Sequence, residues 1–206
     1  AIVFTPDGKD LVFVSNRGGK DELWRIDSDG SHPTRLAPTD GVQFPSFSPD
    51  GRWIVYEGNG KDNLVLWRVS VEGGNPIQLT QGIAHRPVVS ADGKTIACFM
   101  PNNAPGQARL ALLDFANGRL LKEFTSKAPR SVSALRWSPD NQALTYVVKI
   151  NGVANIWSQP LAGGDPVPLT DWKSDAIYGF DWAKDGQLVC ERGSVLSEVV
   201  LIRESP

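Results

Sequence analysis

Apolar residues in this chain fall in short runs rich in β-branched and aromatic side chains, bounded by Gly, Asn, Asp and Pro. That is the signature of strands joined by tight turns. The clearest stretch predicts four strands in a row: A from Phe44 to Ser48, B from Trp53 to Glu57, C from Val65 to Val69 and D from Ile77 to Thr80. The A–B turn has a mechanism. Pro49 is preset for the first position of a type I turn, Asp50 suits the second, and Gly51 takes the left-handed position of a three-residue hairpin.

The same unit recurs. Phe4-Thr5-Pro6-Asp7-Gly8, Phe47-Ser48-Pro49-Asp50-Gly51, Val89-Ser90-Ala91-Asp92-Gly93, Trp137-Ser138-Pro139-Asp140-Asn141 and Trp182-Ala183-Lys184-Asp185-Gly186 share one pattern, with the Asp residues 43, 42, 48 and 45 positions apart. Asn141 stands where the other units have Gly, and Asn is the best non-Gly residue at positive φ. Leu23-Trp24, Leu66-Trp67, Leu110-Ala111, Ile156-Trp157 and Val200-Leu201 keep step on the C strands, and Leu36, Leu79-Thr80 and Leu169-Thr170 close the units. Asp29-Gly30, Gly73-Gly74, Asn117-Gly118 and Gly163-Gly164 supply the C–D hairpins. Four-stranded units at this period read as β-propeller blades, because a lone sheet with two apolar faces can bury both only between neighbours. Most of the seven tryptophans fall on these strands and fill the wedges between blades. The expected architecture is all-β, about five blades of four antiparallel strands, with repeats at 1–43, 44–85, 86–132, 133–177 and 178–206 and the last blade lacking its outer strand. Opening within the apolar strand Ala1–Phe4 reads as a segment of a longer protein. An arc with uncovered blade faces is expected to self-associate, so a homo-oligomer through incomplete blades is one expectation.

Composition removes several function classes. Lys plus Arg is 21 and Asp plus Glu 23, giving a net charge of −2, without the basic excess that drives nucleic-acid binding. No run of apolar residues is long enough to span a bilayer, and no signal peptide is visible at the start. Gly 20 and Pro 15 suit turns and disfavour long helices. Two cysteines, Cys98 and Cys190, sit in B strands and read as buried free thiols. His32 and His85 lack a metal-ligand companion, Gly-x-Ser-x-Gly is absent, and no metal or cofactor is expected. The recurring Asp7, Asp50, Asp92, Asp140 and Asp185, with Gly8, Gly51, Gly93, Asn141 and Gly186, read as structural turn residues held by local side-chain-to-backbone hydrogen bonds, not as a catalytic ring.

These residues resemble the TolB-type β-propeller, a WD-repeat-like family whose blades carry Ser-Pro-Asp-Gly-Lys/Arg, Leu-Trp and Gly-Gly-x-Pro-x-x-Leu-Thr. Here those motifs are Ser48-Pro49-Asp50-Gly51-Arg52, Leu66-Trp67 and Gly73-Gly74-Asn75-Pro76-Ile77-Gln78-Leu79-Thr80. The end of the chain, from Arg192-Gly193-Ser194 to Val199-Val200-Leu201-Ile202, resembles propellers appended to bacterial membrane-bound Ser/Thr kinases or winged-helix regulators. The resemblance implies a non-catalytic scaffold binding a protein or peptide, as a sensory or interaction segment, periplasmic or extracellular. Two alternatives stay open: a small-molecule or ion sensor at the axial mouth, and an accessory domain of a peptidase.

In a propeller the B–C and D–A loops share one face, and here they vary most, which suits binding. The B–C candidates are Arg17, Asn59, Lys61, Asn102, Asn103 and Lys149. The D–A candidates are Asp40, Gln43, His85, Arg86, Arg130, Trp172, Asp175 and Tyr178, of which Gln43, His85, Arg86, Arg130 and Tyr178 lie nearest the axis and have the best claim. The same positions also read as ordinary solvated loop residues. Arg136 and Asp181 share one register on adjacent A strands and are expected to form an inter-blade ion pair, where losing one partner would leave a buried charge unpaired at a cost of roughly 3–5 kcal/mol if the site is dry.

Overall fold

A computed structural model of the chain describes residues 2–102, 108–124, 134–183 and 185–194. Among them there are eighteen strands and no helix. Blade 1 is β1 (Ile2–Phe4), β2 (Asp10–Ser15), β3 (Glu22–Asp27) and β4 (Thr34–Ala37). Blade 2 is β5 (Gln43–Phe47), β6 (Trp53–Asn59), β7 (Leu64–Ser70) and β8 (Ile77–Gln78). Blade 3 is β9 (His85–Val89), β10 (Thr95–Pro101), β11 (Ala108–Asp114) and β12 (Leu120–Phe124). Blade 4 is β13 (Leu135–Trp137), β14 (Ala143–Ile150), β15 (Val153–Pro160) and β16 (Val167–Pro168). The described part of blade 5 is β17 (Ala176–Trp182) paired with β18 (Leu188–Gly193). The C strand expected around Val200-Leu201 lies outside the described residues. Each sheet is an antiparallel meander, and together they form an incomplete β-propeller whose sheets do not close into a ring among the described residues.

The core lies between blades. Val12 and Leu23 pack on Ile54 and Tyr56 of blade 2. Val55 and Leu66 meet Ile96 and Cys98 of blade 3. Phe99 and Leu110 meet Leu144 and Tyr146 of blade 4, with the Phe99 and Tyr146 rings edge to face at 6.0 Å. Val147 and Ile156 meet Ile177 and Phe180 of blade 5. The blade 1 face that corresponds to the covered face of blade 2 is the outermost one, and its Phe4 is 63% exposed.

A cation stitches successive junctions. Arg25 donates to the Val71 carbonyl at 3.0 Å, Arg68 to the Phe115 carbonyl at 3.0 Å, and Lys122 to the Leu161 carbonyl at 2.6 Å. The three acceptors occupy the same corner of blades 2, 3 and 4, where each residue's own N–H closes the B–C ladder. The Arg68 guanidinium is also held 4.6 Å from the Trp53 ring centroid and 5.1 Å from that of Phe115, an arrangement favourable for a partly desolvated cation.

The Asp turns repeat with one hydrogen-bond pattern. In blade 2, Ser48 Oγ donates to Asp50 Oδ1 at 2.5 Å and accepts from Trp53 N at 3.0 Å, while Asp50 Oδ1 accepts from Arg52 N at 3.1 Å. Thr5 and Asp7, Ser90 and Asp92, and Ser138 and Asp140 do the same. The donated hydroxyl, then the backbone N–H, holds these four carboxyls below the ordinary carboxylate value. Asn141 sits at φ 54°, matching Gly8, Gly51 and Gly93 at φ 69–73°. Blade 5 differs. Its turn is one residue shorter, closing from Ala183 N to Gln187 O where blade 2 closes from Ser48 N to Trp53 O, and Ala183 offers no hydroxyl to Asp185. The shorter turn flips the phase of β18, so Cys190 faces the blade 4 junction while Val189 is 59% exposed. Cys98 is fully buried as expected, but Cys190 is only partly so.

Candidate functional site

The inner strands of blades 2 and 3 begin alike, with Gln43-Phe44-Pro45 on β5 and His85-Arg86-Pro87 on β9. Proline has no N–H to give the neighbouring strand. The ladder skips at both places: Gln43 pairs with Glu57 and Ser46 with Val55, while His85 pairs with Phe99 and Val88 with Ala97. Two residues on the inner strand thus oppose one on the next, a β-bulge that re-aims side chains. Phe44 at φ 49° and Arg86 at φ 53° occupy the left-handed region. That conformation costs an L residue roughly 1–2 kcal/mol, and such strain persists only where the surroundings enforce it.

Those surroundings are visible. Glu57 on β6 is buried, its side chain 4% exposed. Its Oε1 lies 3.1 Å from His85 Nδ1 and its Oε2 accepts from the Arg86 backbone N–H at 3.1 Å. With Glu57 ionised, the hydrogen of that first contact sits on His85 Nδ1, since a carboxylate can only accept. The Arg86 guanidinium lies 4.0 Å from the Phe44 ring centroid. Burial pushes its pKa below the ordinary arginine value, opposed by Glu57 and reinforced by Arg136. The backbone bulges, buried carboxylate and stacked guanidinium hold one another in place.

This cluster forms one side of a half-open cavity of about 650 Å³ at the end of the propeller axis. Gln43, Glu57, His85 and Arg86 line that side, Lys149 stands on β14 of blade 4, and Phe99, Met100, Val147 and Ile177 supply apolar walls. A second cavity of about 580 Å³ follows the inner strands of all five blades, with Val3, Ser46, Val88, Arg136 and Gly179 among its lining. Phe44 and Arg86 line both, so their stack stands at the passage between mouth and axis.

Of the five favoured positions, Gln43, His85 and Arg86 come together at the mouth. Tyr178, 49% exposed, lines the axial cavity instead. The β17 bulge between Ile177 and Gly179 leaves Ile177, not Tyr178, on the mouth. Arg130 and Asn103 lie outside the described residues. Lys149 joins the mouth. Trp172 and Asp175 are drawn into a separate clamp, with Arg192 stacked 3.9 Å from the Trp172 ring and paired with Asp175 at 3.2 Å. Asp40 accepts from Gly41 N and sits 3.9 Å from Lys20, and its carbonyl receives the Asn59 N–H. Arg17 lies over Phe13 and Trp24 of blade 1, Lys61 is exposed, and Asn102 ends the β10 side of its loop. His32 pairs with Asp27 at 2.8 Å, which raises the imidazole pKa. Among the described residues no three His, Cys, Asp or Glu side chains gather as metal ligands.

Arg136 and Asp181 do pair across blades 4 and 5 at 3.2 Å, but their side chains are 38% and 68% exposed. The expected pair is therefore present but wet, because it faces the open axial cavity, so the cost of a buried unpaired charge does not apply. Phe44 and Glu57 were not among the sequence candidates. The signal for Phe44 was the Pro repeated five residues before Asp50 and Asp92, at Pro45 and Pro87. For Glu57 it was a lone carboxylate closing an otherwise apolar B strand.

Comparison with known proteins agrees with this architecture. Similar solved structures include TolB from Acinetobacter baumannii, with TM-score 0.70, 22% identity and coverage of 82% of this chain and 42% of that one. The putative TolB from Agrobacterium tumefaciens gives TM-score 0.78 and 19% identity over 94% of this chain and 69% of that one. A puromycin-hydrolyzing peptidase of Mycobacterium tuberculosis gives 0.66 and 22% over 94% and 35%. The chain thus spans less than half of the Acinetobacter protein. Among the described residues no helix is long and apolar enough to cross a membrane. The model of the TolB beta propeller domain matches residues 1–127, more than half of the sequence, and the chain belongs to that family.

Proposed function

We propose that this chain is a non-catalytic binding propeller that receives a protein or peptide partner at the mouth of its axial cavity. The observation that carries the reading is the convergence of Gln43, His85 and Arg86 from two blades around the buried Glu57, beside apolar walls, in a cavity of about 650 Å³. A strained backbone locked by a buried, hydrogen-bonded carboxylate beside a concave apolar surface is the form expected of a preorganised binding site. A cavity suits a projecting peptide segment better than a broad flat protein face. By likeness to TolB-type domains, the setting is the bacterial periplasm, within a larger protein.

The same volume favours a second reading, since it lies in the range of small-molecule sites. A random heptapeptide display library, panned against the chain and against Ala176→Trp, tests both. Ala176 is a half-buried residue on the cavity lining. Enriched peptides should lose at least tenfold affinity for the filled variant. Equal binding to both proteins would move the site elsewhere. No enrichment, together with a melting-temperature rise given by a dialysable metabolite and lost in Ala176→Trp, would establish the small-molecule reading instead.

A further inference from the structure

The accessible charge at the mouth has one sign. Glu57 is the one carboxylate among the described residues lining it, its side chain is buried, and both its oxygens are engaged, by His85 and by the Arg86 N–H. The remaining polar groups that can carry charge are basic side chains. Arg86 is held half-desolvated against Phe44, and His85 keeps 40% of its side chain exposed with Nδ1 committed to Glu57. Lys149 stands exposed at the end of β14, on a different blade, with no ion-pair partner among the described residues. Between these groups the wall is apolar, with Phe99, Met100, Val147 and Ile177.

This arrangement discriminates among ligands. A cationic group would meet Arg86 and Lys149 with its natural counter-charge already taken. A purely apolar group would strip water from the exposed Lys149 ammonium and return no hydrogen bond, which is costly. A carboxylate with an apolar side chain beside it satisfies both halves, since charge-assisted bonds from Arg or Lys are about twice as strong as neutral ones. We propose that the mouth selects a carboxylate adjacent to a hydrophobic side chain, either a peptide's own C-terminus or an acidic side chain next to an apolar residue. The proposal rests on the reading of the mouth as a peptide site and specifies what that site recognises.

Three fluorescein-labelled peptides test it by fluorescence anisotropy at constant pH and salt: Gly-Gly-Leu-Phe with a free carboxylate, the same peptide as its carboxamide, and Gly-Gly-Glu-Phe carboxamide. At least one carboxylate-bearing peptide should bind tenfold or more tightly than the Leu-Phe amide, and which one does so identifies the source of the anion. Lys149→Gln should collapse that ratio toward one, and Lys149→Arg should keep it. Lys173→Gln, at an exposed position outside the mouth, should leave it unchanged. Equal affinity for acid and amide would overturn the anion preference while the mouth stands as a peptide site. A ratio that survives Lys149→Gln would overturn the role of Lys149. Failure of all three peptides to bind would overturn both the preference and the peptide reading beneath it.

Discussion

Gly118 is where the turn chemistry of one blade meets the backbone of its neighbour. It sits at φ 72°, and its N–H donates to the Asp114 carbonyl in the β11–β12 turn. A Cβ built there would lie 2.0 Å from the Leu79 carbonyl oxygen and 2.7 Å from its carbon, both backbone atoms of blade 2. Gly118→Ala therefore adds two penalties. The left-handed backbone costs roughly 1–2 kcal/mol. Forcing a methyl into a filled space costs typically about 1–3 kcal/mol, and here the obstacle is main chain tied to Leu66 by the Leu79 N–H at 2.8 Å. The expected loss is roughly 2–5 kcal/mol. For a chain of this size each kcal/mol moves the melting temperature by about 2–4 °C, so the fall should be about 4–20 °C. Gly8→Ala is the control: at φ 73° with nothing within 4 Å, it carries the backbone penalty alone. Paired urea and thermal melts read the difference. Equal loss in the two variants would refute the close approach of blades 2 and 3 at this corner.

Three other outcomes follow from the structure. Asp50 has its carboxyl pKa lowered, chiefly by the Ser48 hydroxyl, so its stabilisation is present above the unfolded value of about 3.9 and is lost as pH falls through the lower folded value; urea midpoints of Asp50→Asn should vary less between neutral and acidic pH than those of the parent, and identical acid limbs would contradict the turn. Arg136→Ala should cost about 0–1 kcal/mol, because its ion pair is exposed, and a fall of 3 kcal/mol or more in urea melts would show the pair to be dry. Burial pushes the Cys98 thiol up to about 12, so Ellman's reagent should modify Cys190 well before Cys98 in the native protein, and equal rates would argue against the buried position of Cys98.

What the sequence made legible was local. The Asp turns follow from Pro, Asp and Gly acting on their own backbone, and Asn141 at positive φ could be read from its residue type. Blade packing followed from two-faced strands at a steady period. The site itself depends on contacts between blades, and these have no local signature. Leu-Trp-Arg at Leu23-Trp24-Arg25 and Leu66-Trp67-Arg68 read as packing landmarks, yet the two arginines reach carbonyls 46 and 47 residues away. The repeated Pro45 and Pro87 marked the bulges, but which side chains the bulges would aim at Glu57 depended on the neighbouring blade. Ala183 and Lys184 stand where blades 2 and 4 have Ser and Pro, but the one-residue shortening of the blade 5 turn, and with it the reversed phase of β18, shows only in the pairing of Trp182 with Leu188.

The most direct test of the account is to locate where a partner touches the propeller. Amide and side-chain NMR shifts, recorded while a library-selected peptide is titrated into the labelled chain, would give that map. The account predicts that the largest changes cluster at Gln43, His85, Arg86, Lys149 and Ile177, around the mouth. Changes confined to the opposite face, at the turns of Asp7, Asp50, Asp92 and Asp140, would contradict it.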